Sequence, residues 1–245
     1  MSPILIAALV FACVAGGALL GLSLRSVLPD HHRTPESKEV VKGATALIGT
    51  ISALVLGLLV ASAKSSYDTQ KNELTQLSAR IILLDRVLAH YGPETDEARA
   101  LLRKGTSAAL AQLWSRDANG PIVKNEAIYD MIANLSPKDE GHRLVQNQAA
   151  ELIIDLGQTR MLMASQAGSS ISTPLLVIVV FWLAVNFVSF GLFANRNATV
   201  LAALLTCALC VAGAILLILE MDRPFQGLIR IPDTPLRDAV SRLGQ

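Results

Sequence analysis

Four stretches of this chain contain no Asp, Glu, Lys, Arg or His: Met1–Leu24, Gly43–Ala63, Met161–Asn195 and Asn197–Leu219. Each holds the roughly 20 apolar residues that cross about 30 Å of hydrocarbon as a helix. Backbone in lipid has to satisfy its own hydrogen bonds, which helices do and open strands do not. Hydrophobic residues make up 52% of the 245, too many for a soluble domain of this size. The expected fold is all-α: a polytopic membrane protein with four transmembrane helices and a cytoplasmic helical bundle that extends spans two and three. No basic residue precedes the first run, so it reads as a retained helix and not as a signal peptide. Cys13, Cys207 and Cys210 all fall inside the runs and read as small packing residues, the Cys207-x-x-Cys210 spacing included.

The runs divide the chain into transmembrane helices 1 and 2 (1–63), a cytoplasmic helical domain (64–172), a transmembrane hairpin (173–220) and a cytoplasmic tail (221–245). Basic residues near the helix ends lean slightly toward a cytoplasmic central region, with both termini on that side of an inner, plasma membrane. In the central region Leu74, Leu77, Ile81, Leu84, Leu88 and Tyr91 step by three and four, the seam of a coiled-coil-like helix. No breaker separates the seam from the second span, which predicts one helix from about Ala44 to Tyr91, stopped by Gly92-Pro93. A second helix is expected from about Thr95 to the Asp117-Ala-Asn-Gly-Pro121 break, and a third around Ile128–Leu135. Ser136-Pro137-Lys138-Asp139 carries a cap, a proline at the first helical position and an acid, and predicts the start of a helix running toward the third span.

Motifs for chemistry are sparse. Asp30-His31-His32 with Glu36 lacks a second ligand pair and reads as a solvated loop. Asn197-Ala-Thr199 matches a glycosylation sequon but sits at a tight membrane turn. No phosphate-binding loop and no nucleophile with a matching base is present, so the sequence calls for no enzyme, cofactor or metal. A net charge of +1 gives no electrostatic case for nucleic acid. Coupled pumps commonly keep an ionisable group near the midplane, and these spans have none, which leaves a passive pore or a module that does not transport. Asn186, deep in the third span, is expected to hydrogen-bond between helices.

On a helical wheel the second span carries two small-residue stripes. Ala46, Thr50, Ala53, Gly57 and Ala61 suit close helix packing. Thr45, Gly49, Ser52, Leu56 and Ala63 form the neighbouring stripe, either a second packing face or a pore lining. In the pore reading Leu56 makes an apolar ring that gates by dewetting. Leu47, Ile51, Leu54, Val55 and Leu58 face away, as lipid contacts would. The fourth run ends on Glu220-Met-Asp222-Arg223-Pro224-Phe225, two acids at the negative end of a helix dipole. That mismatch predicts a charge network of Glu220 and Asp222 with Lys64, Arg223 or a tail arginine, with Phe225 packed beneath the bundle.

Lys64-Ser65-Ser66-Tyr67-Asp68 is similar to the segment that ends the pore-lining helix of bestrophins, and the tail LEMDRPFQGLIRIPDTPL resembles the bestrophin-like family of bacterial membrane proteins. With the two-plus-two arrangement of spans, the likeness covers essentially the whole chain. It implies a membrane-embedded homo-oligomer, by analogy a pentamer, passing chloride or another small anion along the second span. Two features depart from bestrophins: Gly43–Ala63 has no aromatic residue for a neck, and the acidic cluster of calcium-gated members is missing. The alternative is a non-conducting scaffold or sensor whose cytoplasmic helices bind a partner.

Overall fold

A computed structural model of the chain describes residues 2–27, 35–114, 125–166, 172–195, 197–225 and 227–245. Eight α-helices are found there: α1 (Pro3–Val27), α2 (Pro35–Tyr91), α3 (Asp96–Leu113), α4 (Asn125–Ala133), α5 (Glu140–Gln166), α6 (Thr173–Phe193), α7 (Ala198–Met221) and α8 (Thr234–Arg242). Four of them, α1, α2, α6 and α7, contain stretches long and apolar enough to span a membrane. Asp30-His31-His32, the Asp117–Pro121 break and Arg196 lie outside the described residues. Two compact units emerge, Met1–Ser66 with Ser169–Asp222, and Tyr67–Gly168 with Arg223–Gln245.

The first unit is built on backbone contact between α1 and α6. Gly17-Ala-Leu-Leu-Gly21 presents two glycines to α6, and Gly191 answers from the other side. A Cβ at Gly21 would overlap the Val188 carbonyl, and one at Gly191 the Ala18 carbonyl. Helices in lipid gain little from burying apolar surface and approach closely where side chains are small. Around this seam Val10, Val14, Ala15, Ala18, Leu176, Phe187, Ala208 and Ile215 form the buried core. Arg25, at the end of α1, donates to the Ala194 carbonyl that ends α6 and to Asn195 Oδ1 at 2.9 Å. A cation there offsets the negative end of the α6 dipole. Asn197 is the cap of α7, accepting the Val200 N–H at 2.9 Å, which gives the sequon asparagine a structural role. Large side chains such as Leu5, Leu9, Leu54, Val177, Phe181 and Leu209 are exposed on the outside of this unit. A soluble surface rarely carries so much contiguous apolar area; lipid-facing helices do. Cys13, Cys207 and Cys210 are also exposed, so they do not pack into the unit as expected.

The second unit carries a conventional core. All six residues of the predicted seam, Leu74 to Tyr91, are buried, and the first five share a core with Leu102, Ile128, Ile132, Ile153 and Leu156. Helix α2 stops at Gly92, whose φ of 130° is open to glycine but not to side-chain-bearing residues. It begins at Pro35, earlier than the hydrophobic pattern indicated, because the mostly polar stretch 35–42, with the valine pair Val40-Val41 inside it, continues the helix ahead of the apolar run. The predicted start at Ser136 is displaced: α5 opens at Glu140, and the cap is Asp139, whose Oδ1 accepts the His142 N–H at 2.8 Å. Helix α8 was not anticipated from the sequence. The tail that leads to it is held at Ile231, whose N–H donates to Pro224 O at 2.8 Å and whose carbonyl accepts from Trp114 Nε1 at 3.0 Å. Phe225, half-buried, packs edge-on to Trp114 at 5.8 Å against this unit's core.

The cap yields a pH-dependent expectation. The His142 backbone N–H, followed by the His142 side chain, holds the Asp139 carboxyl below its ordinary value. Its folded-state pKa is depressed, so its stabilisation is present above the ordinary aspartate value and is lost as pH falls through the folded value. Asp139→Ala should lower the thermal midpoint at neutral pH, and the gap from wild type should close in acid. A gap that persists unchanged at pH 2 would mean that the carboxylate does not act as the cap.

Candidate functional site

The face of α2 proposed from sequence as a pore lining is turned into its own unit. Ser52 is fully buried and Thr45 is 7% exposed. Their hydroxyls donate to carbonyls one turn back, Ser52 Oγ to Ile48 O at 2.7 Å and Thr45 Oγ1 to Val41 O at 2.8 Å. Such back-bonding removes the hydroxyl proton from use by a passing ion. Gly49 faces α6, where a Cβ would stand 3.3 Å from Asn186 Oδ1. Leu56 is half-buried between two membrane clusters, packed near Leu59, Leu183 and Ile218. Both stripes are small and polar-tolerant, and a single helix carries no marker of which one meets its own fold. The other stripe, Ala46, Thr50, Ala53, Gly57 and Ala61, is exposed, as are the bulky Leu47, Ile51, Leu54 and Leu58. Val55 departs from that bulky face and packs beside Leu59 and Ile218.

Asn186 does not make the expected helix-to-helix hydrogen bond. Its Nδ2 donates to Trp182 O of its own helix at 3.0 Å, and its Oδ1, buried, has no partner among the described residues.

At the other end of the membrane helices, Leu59 and Ala63 of α2 pack with Val179, Ile218 and Met221. This brings the exit of the second span to the end of α7, so Lys64, Glu220 and Asp222 flank one contact. Glu220 is buried at 3% exposure, and Asp222 closes α7 with its N–H on the Ile218 and Glu220 carbonyls. Lys64, Glu220, Asp222 and Arg223 each take part in a hydrogen-bonding or electrostatic interaction. Among the described residues no group of three or more His, Cys, Asp or Glu is placed to hold a metal ion.

Four apolar helices, glycine-mediated packing and a lipid-type exterior define a four-span helical membrane protein. The chain belongs to the bestrophin-like family: the model of the bestrophin-like domain matches residues 11–236, from within the first span through the other three and most of the tail. The fold is shared with the crystal structure of a bacterial bestrophin homolog from Klebsiella pneumoniae carrying a tyrosine-to-alanine mutation. The TM-score is 0.69 at 13% identity, over 95% of this chain and 99% of that one. A search of curated proteins returns no match.

Proposed function

We propose that the chain is the subunit of a homo-oligomeric passive channel for small anions in the plasma membrane, lined by α2 and catalysing no reaction. The family match over residues 11–236 carries this reading. In it, the central axis meets the exposed small face, Ala46, Thr50, Ala53 and Gly57, while Leu47, Leu54 and Leu58 meet lipid. Small side chains let several copies of α2 approach an axis and leave a passage, which a leucine face would close. The central helical domain and both termini lie in the cytoplasm, and five copies surround the axis.

Two measurements test it together. Purified protein in planar bilayers should give unitary currents selective for chloride over potassium. After Cys13, Cys207 and Cys210 are replaced by alanine, Ala46→Cys, Thr50→Cys and Ala53→Cys should react with a water-soluble thiol reagent. Leu47→Cys and Leu54→Cys, facing lipid, should not. A folded but electrically silent oligomer would favour the scaffold reading, and equal labelling of both sets would remove α2 from any pore.

In the same proposal Glu220 and Asp222 are locked by the basic groups at that end, Lys64 and Arg223 among them, as a structural contact and not as an ion-binding ring. Glu220→Gln combined with Asp222→Asn should lower the thermal midpoint and loosen assembly while leaving anion selectivity intact. Unchanged stability with altered selectivity would reverse that assignment.

A further inference from the structure

In the second unit a cleft of about 800 Å³ opens where the end of α8 meets α2, within the range of sites for small organic molecules. Asp85, Arg86, Ala89 and His90 of α2 line one side, Arg242 and Gln245 the other. The Gly244 N–H, donating to Asp85 Oδ2 at 3.1 Å, holds the two sides together. Arg86 and His90 are one turn apart, which sets their Cβ atoms about 5–6 Å from each other on one face. Arg86 and Arg242 are exposed, and among the described residues neither side chain has a hydrogen-bond or ion-pair partner. Asp238, one turn before Arg242 in α8, forms no salt bridge with it.

The charge balance fixes which kind of ligand fits. Asp85 is the one carboxylate side chain in the wall, and its charge is met by Arg99, which bonds both of its oxygens. The C-terminal ends of α2 and α8 bring about half a negative charge each, together less than the full charges of Arg86 and Arg242. Arg103, whose Nη1 lies 3.5 Å from the Cβ position of Gly244, adds a further cation beside the chain end. The cleft therefore attracts an anion. A guanidinium presents paired N–H donors that match two oxygens of a phosphoryl group, and a phosphate monoester carries about −1.5 to −2 charges at neutral pH. Phosphate alone leaves most of the volume empty. Ala89 is the one apolar residue of the six in the wall, and Gln245, whose Nε2 is committed to the Ser241 carbonyl, keeps its Oε1 as an acceptor for a hydroxyl. We infer that this cleft binds a small, hydroxyl-rich phosphate monoester of the sugar-phosphate type, its phosphoryl group held by Arg86 and Arg242. The charge-free run of α2 ends at Ala63, outside this unit, so the ligand is a water-soluble ester. The site stands apart from the channel reading, because its occupancy is measured without any current.

The test is titration calorimetry on the full chain in detergent at physiological ionic strength, with glucose 6-phosphate, inorganic phosphate and glucose as probes. Glucose 6-phosphate should bind saturably, inorganic phosphate several-fold more weakly, and glucose not at all. Arg86→Gln and Arg242→Gln should each weaken the sugar phosphate about tenfold. Arg86→Lys, which keeps the charge but loses the fork, should weaken it several-fold. Both arginines are exposed, so the thermal midpoints of these variants should match wild type. Arg143→Gln removes the same charge at a surface pair on α5 and should leave the affinity unchanged. A loss there equal to that in Arg86→Gln would reduce the effect to net charge and overturn the inference. Equal affinity for inorganic phosphate and the sugar phosphate overturns it, as does binding that survives both substitutions in the cleft. So does the absence of saturable binding in the millimolar range, as expected if the Gln245 main-chain carboxylate already neutralises the two guanidinium groups.

Discussion

Gly191→Leu should prevent the first unit from assembling. At this position the obstacle is backbone, because a Cβ overlaps the Ala18 carbonyl and sits 2.9 Å from the Leu22 nitrogen. A side-chain neighbour could rotate away, but here α1 and α6 have to separate along their whole contact. Overpacking in a core costs about 1–3 kcal/mol when side chains give way, and a displaced helix pair belongs at or above the top of that range. Gly21→Leu should behave alike, meeting the Val188 carbonyl and the Leu192 nitrogen. Gly16→Leu and Gly213→Leu are the controls, since a Cβ at either finds nothing within 4 Å. Size-exclusion profiles and thermal midpoints in detergent check the prediction. A monodisperse Gly191→Leu protein with a wild-type midpoint would show that α1 and α6 do not meet through these glycines.

The seam of the second unit was legible because its signal is redundant. Leu74, Leu77, Ile81, Leu84, Leu88 and Tyr91 repeat one spacing over five steps, and every gap between them holds a polar residue except Ile82-Leu83. The four spans were legible for the same reason. Inside a span that contrast vanishes: lipid and protein interior are both apolar, so hydropathy cannot tell the buried Ser52 face of α2 from the exposed Ala53 face. What distinguishes them is the partner, here Asn186 and Val179 of α6, more than 100 residues away in the chain. Some misses did have local signals. Gly17-x-x-x-Gly21 is a small-residue packing motif, and Asp233-Thr-Pro235 followed by Leu236, Ala239 and Leu243 has the residue pattern of a helix start with a spacing of three and four. The cap of α5 was misassigned because Ser136 and Asp139 both fit the pattern. The choice falls to Asp139 after the chain turns past α4, where Gln146 Nε2 donates to the Ile132 and Leu135 carbonyls at 2.8 and 3.1 Å.

Asp85→Asn should be the most damaging single change in the second unit. Asp85 is 3% exposed, and both of its oxygens are engaged by Arg99, Nε to Oδ1 at 3.0 Å and Nη2 to Oδ2 at 3.2 Å. A third donor, the Gly244 N–H, reaches Oδ2 at 3.1 Å and ties the end of the chain to α2. The bond to Asp85 raises the Arg99 guanidinium above its already high ordinary value, so the cation persists at every pH where the protein is handled. A raised pKa stabilises below the ordinary value and is lost only above the folded one, so the arginine adds no pH dependence in the working range. Removing the Asp85 charge therefore leaves a largely buried cation with only the exposed Asp96, 3.8 Å away, and breaking a comparable buried pair costs about 3–5 kcal/mol. The 17% exposure of the Arg99 side chain favours the lower figure. With Trp182→Phe leaving Trp114 to report on this unit, denaturant unfolding of the full chain should lose about 3 kcal/mol in Asp85→Asn. The double variant with Arg99→Leu should recover part of that, because no charge is then stranded. Arg143→Gln, at the exposed Arg143–Glu140 pair, should stay close to wild type. If Asp85→Asn costs no more than that surface control, or if the double variant is worse than the sum of its parts, the pair is not what fixes α3 and the chain end onto α2.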